Sequence, residues 1–113
     1  MSSGADLLRL AEVEQLVLLA VLRLDDGAYA VPIRSLIRKA ASVDLTRGSV
    51  YVTLDRLEQK GFLASEFSEP TGEPGGKARR VFRLLPPGMA ALRAARRALD
   101  RLSEGTSLAR PRG

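Results

Sequence analysis

One amphipathic segment near the middle of the chain, residues 45–61, most constrains the fold. Its apolar residues recur at helical spacing and form one stripe, namely Val50, Leu54 and Leu57. Thr46 stands at the N-cap position and Gly61 just past the end, so the spacing predicts a helix over 46–60. The opposite face carries Arg47, Ser49, Tyr51, Thr53 and Arg56. Such a face fits a DNA major groove, and an ordinary amphipathic surface helix has the same pattern.

Composition limits what the chain can do. Its 113 residues, 45% of them hydrophobic, leave room for one domain with a modest core. The absence of cysteine and histidine excludes disulfides, thiolate chemistry and the usual zinc sites. No carboxylates share a catalytic motif, so we expect neither an enzyme nor a cofactor. The net charge of +5 and the pI near 10.4 favour a polyanionic partner, either nucleic acid or an anionic membrane surface.

The sequence shows no membrane segment and no export signal. No apolar run approaches the roughly 20 residues that span a bilayer. The first residues contain no basic region ahead of an apolar block. We therefore expect a cytoplasmic protein that does not enter a membrane.

The first predicted helix begins between Asp6 and Glu14 and ends near Leu24. It is apolar on almost every side, because a second apolar face accompanies its main stripe. That second face holds Leu16, Leu18, Leu19 and Leu22. A helix of this kind must be covered on more than one side. Either a second subunit covers it or the chain encloses it, and the small size of the domain favours a second subunit.

A second amphipathic helix precedes the 46–60 segment. Its predicted buried stripe consists of Ile33, Leu36, Ile37 and Ala40. Its outward side carries Arg34, Ser35, Arg38 and Lys39. Residues 41–44 make a short connection that has room for a brief strand. Two short helices joined by a tight link, the second with a polar face, match a helix-turn-helix.

Two alternating segments, 63–67 and 77–84, predict the strands of a hairpin. Residues 69–76 between them hold two prolines and three glycines and predict a loop. Phe82 favours burial of the face it shares with Arg80, which places Arg80 near the loop. Beside a helix-turn-helix such a hairpin is a wing, whose cations can reach phosphates or a minor groove. Those cations are Lys77, Arg79 and Arg80. The alternative is a solvated loop whose charges serve solubility.

The last predicted helix, Pro87 to Leu102, has a narrow apolar seam with little of its own domain left to pack against. Its natural partners are the first helix and the matching helix of a second copy. The predicted dimer interface comprises Leu16, Leu19, Leu22, Met89, Leu92, Leu99 and Leu102. The predicted organisation is a DNA-binding domain (1–85), a dimerisation helix (86–104) and a disordered tail (105–113).

Four segments together resemble one known family. They are Glu14–Leu22, Asp26–Tyr29, Gly48–Gly61 and Arg79–Leu84, the last followed by Pro87-Gly88. In this combination the chain resembles the PadR family of bacterial transcriptional regulators, in its short form with one C-terminal helix. The resemblance implies a mainly helical α+β winged helix-turn-helix, a homodimer held by its first and last helices, and repression of nearby promoters from a nucleoid-associated position.

The leading hypothesis is a dimeric repressor whose two recognition helices enter successive major grooves, about 34 Å apart. The predicted DNA-binding residues are Arg34, Thr46, Arg47, Ser49, Tyr51, Thr53, Arg56, Lys77, Arg79 and Arg80. The alternative is a winged-helix dimer that acts as a protein-interaction adaptor without DNA binding. Asp55 on the recognition helix and the acids near the wing leave that alternative open. A small-molecule effector stays unidentified, because the sequence contains no concentrated aromatic or polar pocket signature.

Overall fold

The computed structural model describes residues 10–68 and 78–109. Within these ranges the chain forms four α-helices and one two-stranded antiparallel sheet. In chain order they are α1 (Glu12–Leu24), α2 (Ala30–Ala41), α3 (Arg47–Gln59), β1 (Leu63–Phe67), β2 (Arg80–Leu84) and α4 (Pro86–Ser103). A short 3-10 turn, Asp25–Gly27, joins α1 to α2. The prediction of a mainly helical α+β fold is confirmed.

A buried carboxylate fixes the beginning of α1 and ties this helix to α3. The Ala11 N–H donates to Oε1 of Glu14 at 2.8 Å, which satisfies one of the amides at the helix start. Oε2 of Glu14 accepts from Nζ of Lys60 at 2.6 Å. Glu14 is only 3% exposed, and Lys60 follows α3 directly. The Glu14 side chain thus links the first turn of α1 to the residue that caps the end of α3.

The two apolar faces of α1 are covered unequally. The core takes Val17, Leu18, Ala20 and Val21. Leu16 and Leu19 pack against this core and are half-buried, whereas Leu22 is exposed. The chain therefore encloses part of the second apolar face itself, through Leu18, and leaves Leu22 facing solvent.

Helix α2 carries Pro32 in its first turn and buries Ile33 and Ile37. Leu36 is half-buried, while Ala40 is exposed, so the prediction that Ala40 is buried is wrong. Ala40 lines an open apolar groove of about 310 Å³ beside α1 and α2, and no part of the described chain covers it there. We call it the α1–α2 groove; its lining includes Leu16, Leu19, Leu22, Leu36, Ala40 and Ala41.

Sequence-encoded caps delimit the link between α2 and α3. Ser42 ends α2 in the left-handed region (φ 57°), and its N–H donates to the Arg38 carbonyl. The hydroxyl of Thr46 accepts from the Ser49 N–H at 3.1 Å and starts α3, as predicted. Gly61, at φ 79°, turns the chain after α3, also as predicted. Residues 42–46 contain no strand.

The sheet packs against the helices through Phe82, which is buried in the core. Leu63 lies opposite Leu84 and Phe67 opposite Arg80, so Arg80 stands at the loop end of the hairpin. The Phe82 N–H donates to the Ala28 carbonyl at 2.8 Å and joins β2 to the segment before α2. Strand β2 begins at Arg80, later than predicted, and Lys77 lies outside the described residues.

The first turns of α4 pack closely on the domain. The Leu85 N–H donates to the Phe62 carbonyl at 3.0 Å, and Gly88 lies directly against that carbonyl. Leu92 is 2% exposed and belongs to the core of its own chain. This burial argues against its prediction as an interface residue, because the start of α4 lies close enough to the domain to cover it.

The second half of α4 extends away from the core of the domain. Leu99 and Leu102 are 60% and 83% exposed. Residues 104–109, most of them in the predicted tail (105–113), form exposed turns in which the Thr106 N–H donates to the Ser103 carbonyl at 3.0 Å. Residues 110–113 lie outside the described part. No helix in the described ranges is both long and apolar enough to cross a membrane.

Candidate nucleic-acid interface

Helix α3 presents a mainly polar face to solvent, with Val52 as its one large apolar member. Arg47, Tyr51 and Asp55 follow one another at intervals of four residues and lie on one exposed stripe. Arg56 is also exposed, and Ser49 is half-buried. The opposite side of α3 is fully buried in the core through Val50, Leu54 and Leu57. The helix therefore stands with its polar face outward, as a recognition helix requires.

Thr53 does not belong to that outward face. It is 5% exposed, and its hydroxyl donates to the Ser49 carbonyl at 2.8 Å. At helical spacing Thr53 falls three residues after Val50 and four before Leu57, which are both buried. This burial argues against its prediction as a DNA contact, because the domain covers this side of α3.

A cationic cleft lies between α2 and the start of α3. It has a volume of about 340 Å³, and its lining includes Arg34, Ser35, Arg38, Arg47 and Tyr51. Nε of Arg34 donates to the Leu45 carbonyl at 2.6 Å, which fixes this side chain against the link. Among the described residues no carboxylate is ion-paired with Arg38 or Arg47. Three arginines thus line one concave surface, and Nη2 of one of them, Arg34, lies 3.7 Å from Oδ1 of Asp44. Their summed positive charge attracts anions.

Ser35 and Arg38 were absent from the predicted set of DNA-binding residues. A signal for them was present, since Arg34 and Arg38 are four residues apart and share one face of α2. Thr46, which was in that set, is exposed, and its hydroxyl caps α3.

The wing brings one cation outward at its base. Arg79 is exposed, its N–H donates to the Ser68 hydroxyl at 3.0 Å, and its guanidinium lies over the Tyr29 ring at 4.7 Å from the centroid. A cation held over an aromatic ring keeps its outer face available to a phosphate.

Arg80 points towards the protein. Its Nη1 donates to Oδ1 of Asp55 at 2.7 Å and its Nη2 to Oε2 of Glu58 at 2.7 Å. Its guanidinium also lies 4.8 Å from the centre of the Phe82 ring. The hydrogen bond to Asp55, followed by that to Glu58, raises the pKa of Arg80 above its ordinary value, so the side chain stays charged. Without DNA the guanidinium of Arg80 is bound to two carboxylates of α3, and its contact with DNA stays a prediction.

This surface can bind a polyanion. Its functional groups are guanidinium groups and hydroxyls on a recognition helix, on α2 and at the base of a wing. Among the described residues no cluster of acids could hold a metal ion. The arrangement is that of a winged helix-turn-helix protein. Proteins of this class bind DNA through the second helix of the motif, which corresponds to α3 in this chain.

Comparisons with known proteins agree with this class. The model of the "Transcriptional regulator PadR-like family" matches residues 18–94. The chain is 48% identical over 56 residues to the transcriptional regulator Rv3488 of Mycobacterium tuberculosis, and the match spans 50% of this chain and 49% of that protein. The chain thus covers about half the length of this relative.

Solved structures show the same fold. A PadR-like transcription factor from Bacteroides fragilis superposes with a TM-score of 0.70 at 24% identity, over 81% of this chain and 84% of that one. A PadR family transcriptional regulator from Eggerthella lenta gives 0.64 at 26% identity, over 83% and 81%. The chain belongs to the PadR-like family of transcriptional regulators.

Proposed function

We propose that this protein is a homodimer that binds a palindromic operator and represses neighbouring genes from the cytoplasm, at the nucleoid. The observation that carries the DNA-binding geometry is the cationic cleft beside α3. A helix in the major groove brings its flanks close to the phosphate backbone. The cleft would then receive a backbone phosphate, while Tyr51 and Arg56 reach into the groove from the exposed side of α3.

The cleft predicts which arginines matter for duplex binding. We expect Arg38→Ala and Arg47→Ala each to weaken binding to a random-sequence duplex about three- to tenfold and to reduce the salt slope by about 1, because each removes one phosphate contact. Fluorescence anisotropy titrations between 50 and 200 mM salt measure both quantities. Arg97→Ala is the matched control, since Arg97 is exposed on α4, away from the cleft.

Wild-type protein with no duplex affinity at low salt would contradict DNA binding through this face and favour the adaptor alternative.

A second experiment identifies the operator, by selection of the sequences that the wild-type protein binds from a random duplex library. We expect an inverted repeat whose half-sites lie about 10 base pairs apart, centre to centre. Placing that operator across a promoter tests repression by transcription in vitro.

Two apolar surfaces support the dimer. The α1–α2 groove leaves Leu22 in solvent, and the second half of α4 exposes Leu99 and Leu102 at helical spacing. Exposed leucines rimmed by polar residues mark interaction surfaces. A second copy would lay its α4 seam along α1, which accounts for the predicted interface residues other than Leu92. Met89, half-buried beside Leu22 in a neighbouring cleft, lies at the edge of this region.

The dimer proposal predicts the effect of charges on the α4 seam. We expect the double variant Leu99→Lys/Leu102→Lys to be a folded monomer, because a lysine cannot be buried without a partner. Sedimentation equilibrium measures the mass, and circular dichroism checks the fold. Leu108→Lys, in the exposed turn after α4, should stay dimeric. A wild-type monomer at tens of micromolar would contradict the proposal.

A further inference from the structure

We propose that Arg80 is a positioning residue that joins the wing to the recognition helix and neutralises a carboxylate on the DNA-facing side of α3. This inference rests on the proposed DNA-binding geometry. It assigns to Arg80 a role different from the phosphate contact expected of a basic wing residue.

The guanidinium of Arg80 already has three polar partners. Nε donates to the Ser65 hydroxyl at 3.1 Å, while Nη1 and Nη2 donate to Asp55 and Glu58 at 2.7 Å each. The single hydroxyl proton of Ser65 is in turn shared by the two carboxylate oxygens of Glu58, each of which lies 2.8 Å from Oγ. With the Phe82 ring beside it, the planar group is held on its edges and on one face. A phosphate contact would require Arg80 to give up charge-assisted hydrogen bonds.

The network connects three elements at the base of the wing. Arg80 is the first residue of β2 and lies opposite Phe67, the last residue of β1. Asp55 and Glu58 lie on α3, one turn apart. The bonds therefore fix the hairpin to the recognition helix at the point where the wing loop begins. Arg79, the outward cation, immediately precedes Arg80 in the chain, so the network also sets the position of Arg79.

The network has an electrostatic consequence as well. Asp55 lies on the same exposed stripe of α3 as Arg47 and Tyr51, and its side chain is 52% exposed. A carboxylate at this position would repel DNA phosphates. The Arg80 guanidinium, 2.7 Å from Asp55, offsets that charge without itself entering the groove.

The experiment compares Arg80→Met in two backgrounds, wild type and Asp55→Asn/Glu58→Gln. We expect Arg80→Met alone to weaken duplex binding at least about fivefold. In the neutralised background the same change should cost less than about twofold, because no carboxylate remains to repel DNA; this double-mutant comparison isolates the coupling. Arg80→Lys should lie between, since it keeps the charge and loses the fork. Arg79→Met, the matched control, should lower the slope by about 1.

A readout without DNA separates this inference from the proposed function. The Ser68 N–H donates to the Arg79 carbonyl at 2.8 Å beside the network, whereas the Phe82 N–H bonds to Ala28 in the core. Amide hydrogen exchange should therefore be at least about threefold faster at Ser68 in Arg80→Met and unchanged at Phe82. Unchanged exchange at Ser68 would overturn the positioning role. Equal losses of affinity in both backgrounds would make Arg80 a direct phosphate contact.

Discussion

Gly88→Ala will destabilise the fold by about 3 kcal/mol, at the upper end of the usual cost of overpacking. A β-carbon at Gly88 would overlap the Phe62 carbonyl oxygen and lie 2.8 Å from Cδ1 of Leu84. The carbonyl cannot withdraw freely, because it accepts the Leu85 N–H at the start of α4. The added methyl group must therefore push α4 away from the domain and loosen the packing of Leu92. Chemical denaturation followed by circular dichroism measures the loss.

Gly48→Ala is the matched control for this substitution. Gly48 lies in the first turn of α3, and a β-carbon there would meet no atom within 4 Å. Alanine is the better helix former, so Gly48→Ala should leave stability unchanged or raise it by up to about 1 kcal/mol. If the two alanine variants are equally stable, the close approach of α4 to Phe62 is wrong.

Lys60→Met will cost about 3 kcal/mol of folding free energy. Removing one partner of a buried ion pair leaves the other charge buried without compensation, which typically costs about 3–5 kcal/mol. We place this pair at the lower end, because the Lys60 side chain is 36% exposed while that of Glu14 is 4% exposed. Glu14 would keep only the Ala11 N–H. Thermal and urea unfolding at neutral pH measure the effect.

Lys39→Met supplies the control, because Lys39 is exposed near the end of α2 and has no ion-pair partner among the described residues. Its cost should stay within about 0.5 kcal/mol. The double variant Glu14→Leu/Lys60→Met should recover most of the stability lost in Lys60→Met, since an apolar pair carries no buried charge. Equal costs for Lys60→Met and Lys39→Met would contradict the role assigned to Glu14.

Local signals in the sequence predicted the elements well. The Thr46 cap and the left-handed Gly61 each depend on residues only a few positions away, so the bounds of α3 followed from the chain alone. The alternation around Phe82 correctly identified the buried face of β2. The exposed stripe through Arg47 and Tyr51 followed from helical spacing in the same way.

Contacts between distant segments account for what the sequence did not predict. Thr53 lies at the border of the apolar stripe, and only the packing of the whole domain decides that it is buried. Arg80 meets Asp55, 25 residues earlier, and Lys60 meets Glu14 across 46 residues. The helical spacing of Leu92 places it on the apolar seam of α4 that was predicted as an interface. Only the packing of the first turns of α4 against the domain shows that Leu92 belongs to the core.

Helix α1 has contacts of two kinds along its length. Near its first turn Glu14 holds Lys60 at the end of the recognition helix, and near its last turn Leu22 faces solvent in the α1–α2 groove. In a dimer built on that groove, α1 would connect the subunit interface at one of its ends to the recognition helix α3 at the other. The way in which the two α1 helices pack in the dimer would then set the distance between the two recognition helices. That distance in turn would set the half-site spacing of the operators that the dimer can bind.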